Sequence, residues 1–213
     1  MRSANHRYGA VLVLTAAMAT FTLAAPDAPG MRVVELALAG AALMAAMLTS
    51  GARPGVRRVT LRALGVALVV AGGAAVGGAR PGVLALAATA VANAATIAVI
   101  LGGLLRLVRE RGVVLQAVFG ALAIYLLLGL VFGFLIGAVA TAFDGAYFAQ
   151  GGDAVQSQRV YFSYAVLTTT GFGDLTARTP PGRALAVLEM LIGQLYLVTV
   201  IAMLVGNLSR RDP

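Results

Sequence analysis

Long apolar runs, separated by short polar or turn-forming stretches, divide the chain from end to end. The first run covers about 8–25 and stops at Pro26-Asp27-Ala28-Pro29-Gly30. Others follow at about 31–49, 59–79 and 82–108. The longest uncharged stretch is 112–143, with its helix expected at about 113–140, and the last run is about 183–208. A bilayer core takes about 20 apolar residues of α-helix to cross, so the pattern predicts an all-α membrane protein with six transmembrane helices. The fifth exceeds that length and is expected to tilt or to extend beyond the core. Gly-Ala-Arg-Pro-Gly-Val stands at 51–56 and again at 78–83. Pro-Gly is turn punctuation, so the repeat reads as two similar turns at the ends of the third helix.

The first run also has the outline of a secretory signal peptide, with basic residues before it and small residues at its end. At about 18 residues it is long for a signal core and adequate for a span, so a retained helix is expected. In the second run Glu35 lies in the first turn, where a helix N-terminus favours an anion. The third run is rich in glycine, which lets helices approach closely in lipid.

The interval between the fifth and sixth runs has another pattern. A polar, glycine-rich loop at 144–156 leads into a short aromatic stretch at about 157–167 that is compatible with a helix. The spacing from Asp153 to Gln156 suits a helix start, and Ser157 suits a cap equally well. After Leu167 come Thr168-Thr169-Thr170-Gly171-Phe172-Gly173-Asp174, and 175–182 then returns through Pro180-Pro181. A polar loop inside lipid survives only where protein or water covers it, which makes this one purposeful.

Composition supports the membrane reading. The chain of 213 residues is 60% hydrophobic and 11% charged, against about 25% charged in soluble domains. Its formal net charge is +8, carried by arginine, since lysine is absent. The arginines sit between apolar runs, so they set topology and imply no nucleic-acid partner. With the N-terminus inside, Arg32, Arg80, Arg159, Arg178 and Arg183 lie outside and the other eleven arginines lie inside. That distribution satisfies the positive-inside rule and places both termini in the cytoplasm, in a multi-pass protein of the plasma (inner) membrane. Cysteine is absent and His6 is the single histidine, which leaves little for a transition-metal site or a histidine-based catalytic triad. No cofactor is expected.

The segment from Thr168 to Asp174 resembles the selectivity filter of the potassium channel family, written T-V-G-Y-G-D there. Helix, short pore helix, filter, helix is the pore module of that family, and the resemblance covers about 113–208. It implies a re-entrant pore helix between the fifth and sixth helices. It also implies filter carbonyls of Thr169, Thr170, Gly171, Phe172 and Gly173 that replace the water around K+, the transported ion. Gly171 and Gly173 supply backbone freedom that such a strand needs. Thr168, Asp174, Tyr161, Phe162 and Tyr164 are expected to support the filter, the three aromatics as a collar around it. The simpler reading of those rings is an interfacial belt. One chain supplies one filter segment, so the resemblance implies a homotetramer in the lipid bilayer. Gly193 matches the hinge of the family's inner helix, with a packing glycine as the plain alternative.

Three positions depart from the family pattern. Thr170 stands where valine is usual, though its carbonyl still serves. Phe172 replaces tyrosine and loses a hydroxyl. Ala165 stands where well-studied bacterial members carry a glutamate paired with the filter aspartate, so Asp174 must find another partner or face water. Glu189, in the outer third of the sixth helix, is expected to support the pore from behind, through pore-helix groups such as Tyr161 or Tyr164. A salt bridge with Arg178 or Arg183 is its alternative.

The fourth helix has no charge between Gly82 and Leu105, and Arg106 and Arg109 lie at its inner end. It is therefore no true voltage sensor. The expected organisation is a four-helix N-terminal membrane domain, 1–111, and a pore domain, 112–213. The function expected is a potassium-selective channel subunit, not an enzyme, with no gating ligand read from the sequence. The rivals are a poorly selective cation channel, a non-conducting membrane scaffold and a secondary transporter. The last would want paired broken helices or a midplane charge cluster.

Overall fold

The protein is described by a computed structural model covering residues 8–26, 28–51, 58, 62, 65, 80–142, 146–151 and 155–208. The third apolar run, the 51–56 and 78–83 turns in large part, His6, Asp153 and the C-terminal tail lie outside the described residues.

Helix α1 spans Tyr8–Ala24, α2 Pro29–Thr49, α3 Arg80–Arg111, α4 Leu115–Ala142, α5 Gln156–Leu167 and α6 Pro180–Tyr196. A π-helical turn, Leu197–Ile201, then joins α6 to α7, Ala202–Leu208. No strand occurs among the described residues; a single antiparallel bridge pairs Phe148 with Ala177. Four of the helical stretches are long and apolar enough to cross a membrane: Gly30–Thr49, Gly82–Arg111, Leu115–Ala142 and Pro180–Leu204. The apolar α1 has 17 residues.

The ends of these helices follow from local chemistry. Gly51 and Gly112 have φ of 60° and 68°, the left-handed conformation that stops α2 and α3 without a Cβ clash. The N–H of Gly112 bonds to the Val108 carbonyl at 2.8 Å, and α4 starts three residues later. Val155, not Ser157, precedes the first turn of α5, and its N–H donates to Gln158 Oε1 at 3.2 Å. Pro180 and Pro181 open α6 rather than ending the loop before it. The Thr179 hydroxyl accepts from the Gly182 N–H at 3.3 Å, and prolines suit a first turn whose N–H groups have no helical partner.

Helix α4 is the centre of the packing. It contacts α3, α1, α5 and, more lightly, α6 and α7. One apolar core runs through both halves of the chain, from Tyr8, Val11 and Met18 through Leu36 and Leu86 to Leu127, Leu130 and Phe134. A smaller cluster of Ile136, Tyr147, Phe148, Phe162 and Val166 lies where the 146–151 loop meets α5.

Candidate functional site

The close seating of α5 on α4 comes from a stripe of glycines. Gly129, Gly133 and Gly137 are spaced by four and so share one face of α4. Tyr164, Val160 and Gln156, also spaced by four, lie against them. A methyl group added at Gly133 would stand 2.9 Å from Val160 Cα, and one at Gly129 would stand 2.6 Å from Tyr164 Cδ1. Small residues allow this approach, and the polar side chains of α5 then reach the backbone of α4. Gln156 Nε2 donates to the Gly133 carbonyl at 3.2 Å, Ser163 Oγ to Gly129 at 2.7 Å and Tyr164 Oη to Leu126 at 2.8 Å. The Tyr125 hydroxyl of α4 donates to Leu167, the last residue of α5, at 3.2 Å.

The chain leaves α5 through a backbone of alternating hand. Thr169, Gly171 and Gly173 have φ of 57°, 52° and 81°, while Thr170 and Phe172 between them are not positive. Left-handed backbone costs about 1–2 kcal/mol for a residue with a Cβ, so the two glycines suit their places and Thr169 carries strain. That threonine lies just past the C-cap Thr168, and its N–H bonds to the Val166 carbonyl at 2.9 Å. The Gly171 N–H returns to Ala165 at 3.1 Å. The Thr168 hydroxyl donates to Tyr164 at 2.7 Å and lies 2.8 Å from the Thr170 hydroxyl. Every residue from Thr168 to Asp174 is exposed on the single chain.

The three aromatics of α5 point in three directions and form no collar within one chain. Tyr161 stacks on Phe172, with centroids 6.2 Å apart and planes 9° from parallel. Phe162 packs edge-on to Phe148 at 5.1 Å and to Tyr147 at 6.3 Å. Tyr164 lies against Gly129. Phe172 remains 69% exposed despite that stack. Asp174 has found the partner its position lacks at Ala165: a hydrogen bond with its carboxylate pushes the Tyr161 hydroxyl pKa up. A cavity of about 160 Å³ separates Phe162, Ala165 and Val166 from Gly171–Thr176.

The segment is held on its far side as well. Gln150 clamps Thr176, its Oε1 accepting from the Thr176 N–H at 3.1 Å and its Nε2 donating to the hydroxyl at 3.2 Å. The Ala149 N–H bonds to Thr176 and the Arg178 N–H to Tyr147, at 2.8 and 2.9 Å.

Glu189 of α6 is fully buried against α5, and its hydrogen bond is to Ser163, not to Tyr161 or Tyr164. It makes no salt bridge with Arg178 or Arg183; the Arg183 Nε donates to the Ala177 carbonyl at 3.1 Å. Gly193 lies on regular α-helix. A Cβ there would stand 2.5 Å from the Leu167 carbonyl oxygen, so the glycine lets α6 approach the end of α5. The departure from α-geometry falls four residues later, in the π turn.

Sequence reasoning missed Ser163 and the α4 glycine stripe. The stripe had a signal, since Gly-x-x-x-Gly-x-x-x-Gly stands at 129–137. Ser163 had none, being one small polar residue among aromatics.

Compared with known proteins, residues 120–210 match a family described as ion channel. No curated protein and no solved structure matches the chain.

Proposed function

We propose that the chain, whose residues 120–210 match an ion-channel family, is the subunit of a potassium-selective channel that conducts K+ passively as a homotetramer. The observation that carries the proposal is the alternation of φ along Thr169–Gly173. An extended strand points successive carbonyls to opposite sides, whereas alternating left- and right-handed residues turn them to one side. Carbonyls so aligned can take the place of an ion's hydration shell once four copies surround an axis. Exposure of the whole segment on one chain fits a surface completed by neighbouring copies. Phe172, stacked on one face and open on the other, fits a ring that packs between them.

In this reading α4, α5, the filter and α6 make up a pore domain, 112–213, with α5 as the re-entrant pore helix. Its C-terminal end, the negative pole of its dipole, lies beside the filter and favours a cation. Residues 1–111 form a supporting membrane domain, whose third run completes six spans. The uncharged body of α3 gives that domain no voltage-sensing charge. Arginine distribution supports a plasma-membrane protein with cytoplasmic termini.

The test is ion flux in liposomes holding the purified protein under K+ or Na+ gradients. Passive K+ flux with little Na+ flux is expected. Equal fluxes would mean a poorly selective cation channel, saturable exchange a transporter, and no flux a scaffold.

A further inference from the structure

Ser163 stands at the meeting point of three helices. It is fully buried, and its hydroxyl is within hydrogen-bonding reach of two oxygens, the Gly129 carbonyl of α4 at 2.7 Å and Glu189 Oε1 of α6. A serine hydroxyl has one hydrogen to give, and a carbonyl has none. If that hydrogen goes to Gly129, the bond to Glu189 needs its hydrogen from the carboxyl. Glu189 is then a neutral acid, and donors run in one direction from α6 through Ser163 to α4.

The surroundings of the carboxyl favour the same state. Its second oxygen is buried with no hydrogen-bond partner, and no described cation pairs with it. A buried carboxylate with one oxygen unpaired and no counter-ion is far costlier than a neutral acid in the same place. Helix α5 offers it the Tyr164 phenol and the 146–151 loop the Tyr147 phenol, while α4 offers Ser163 the Gly129 carbonyl and holds the Tyr125 phenol on Leu167. The Tyr147 hydroxyl contacts the Gly182 carbonyl at 3.4 Å, and burial pushes its pKa up to about 12. Arg183 lies six residues away and is held by the Ala177 carbonyl.

We propose that Glu189 is a positioning residue held as a neutral acid by its bond to Ser163, and that its ionisation releases α5 from α4. A carboxylate cannot donate, so Ser163 must turn its hydrogen toward Glu189 and give up Gly129. Helix α5 then loses one of the bonds that seat it. The filter begins five residues after Ser163, where the chain leaves the same helix, so conduction falls with that release; this last step rests on the channel reading. This lock on the seating of α5 is complete while the carboxyl keeps its proton and is lost as base removes it.

The experiment uses the full-length reconstituted protein. Infrared spectra at neutral pH should contain a protonated-carboxyl C=O band that Glu189→Gln removes, a result that requires no conduction. The melting temperature of the wild type should fall on alkalinisation, while Glu189→Gln, which keeps a donor and cannot ionise, should give a flat profile. Ser163→Ala should be destabilised and equally flat. Wild-type K+ flux should fall on the order of tenfold over the same range, as expected for loss of one buried hydrogen bond that holds the conducting arrangement. Absence of the band, or wild-type and Glu189→Gln melting profiles that coincide, overturns the proposal. The band and a pH-dependent melt without K+ flux would leave the lock in place and refute the channel reading instead.

Discussion

The two halves of the chain satisfy their buried polar side chains in opposite ways. In the described N-terminal helices four of these bonds stay at home. Thr22 donates to Met18, Thr89 to Ala85, Asn93 to Thr89 and Thr96 to Ala92, each four residues back on the same helix. In the C-terminal half several cross between elements: Gln156 to Gly133, Ser163 to Gly129, Tyr164 to Leu126, Tyr125 to Leu167 and Tyr196 to Ala121. A bond to the residue's own helix satisfies a hydroxyl without choosing a neighbour. A bond across an interface fixes the register of two elements. The N-terminal helices are joined by apolar and small residues, with cross-links gathered around Ser50, which meets Tyr8 at 3.2 Å and Arg106 Nη2 at 2.5 Å. In the C-terminal half each such bond fixes two elements against one another.

The contrast can be broken most forcefully at the filter glycines. Gly171→Ala or Gly173→Ala places a Cβ on left-handed backbone, at about 1–2 kcal/mol per chain. Loss of K+ selectivity or of current is expected; unchanged reversal potentials would refute the carbonyl ring. Next come glycines inside helices. Gly133→Ala should lower stability by about 1–3 kcal/mol through overpacking against Val160. Gly102→Ala in α3, where a Cβ meets nothing within 4 Å, should be neutral or stabilising by up to about 1 kcal/mol. Denaturation of the two purified variants measures the difference, and equal losses would erase the distinction between halves. Side-chain bonds come third. Tyr164→Phe removes a hydrogen bond between elements and should cost about 1 kcal/mol. Thr96→Val removes a bond to its own helix and should change stability by under about 0.5 kcal/mol. The smallest effect is expected at Arg106, whose guanidinium serves the Ser50 carbonyl at a helix end. Arg106→Gln should leave voltage dependence as shallow as in the wild type, and a lost gating charge in patch recordings would contradict this.

Much of this architecture was legible because bilayer length and hydrophobic period write themselves plainly into a chain. The helices before and after the filter motif fall within a few residues of their expected bounds, and α6 starts early because prolines at a helix start look like loop residues from sequence alone. The glycine spacing of Gly171 and Gly173 marked two residues that the structure places on left-handed backbone. The contacts that seat their segment were not legible. Nothing in the sequence tells whether Tyr161 turns toward Phe172 and Asp174 or toward α4, since neighbours on a helix face different elements. The Ser163 partner of Glu189 was hidden for the same reason: Glu189 was legible as a costly intramembrane carboxylate, but its neighbour depends on how deeply α5 sinks onto the glycines of α4.

The π turn corrects the phase of the inner helix. Successive α-helical residues turn by about 100°, so positions seven apart nearly share a face and positions eight apart diverge by about 80°. Tyr196, which reaches the Ala121 carbonyl at 2.8 Å, and Leu204, buried in the core that α4 shares, are eight apart, yet both face α4. The turn at Leu197–Ile201 absorbs the surplus residue, so that eight residues advance the helix about as far around as seven normally would. A helical wheel drawn without that break from Pro180 to Leu208 therefore assigns the lower residues to the wrong side. Leu204 would sit away from α4 on such a wheel, and the face turned to α4 would be misread from there to the end of the helix.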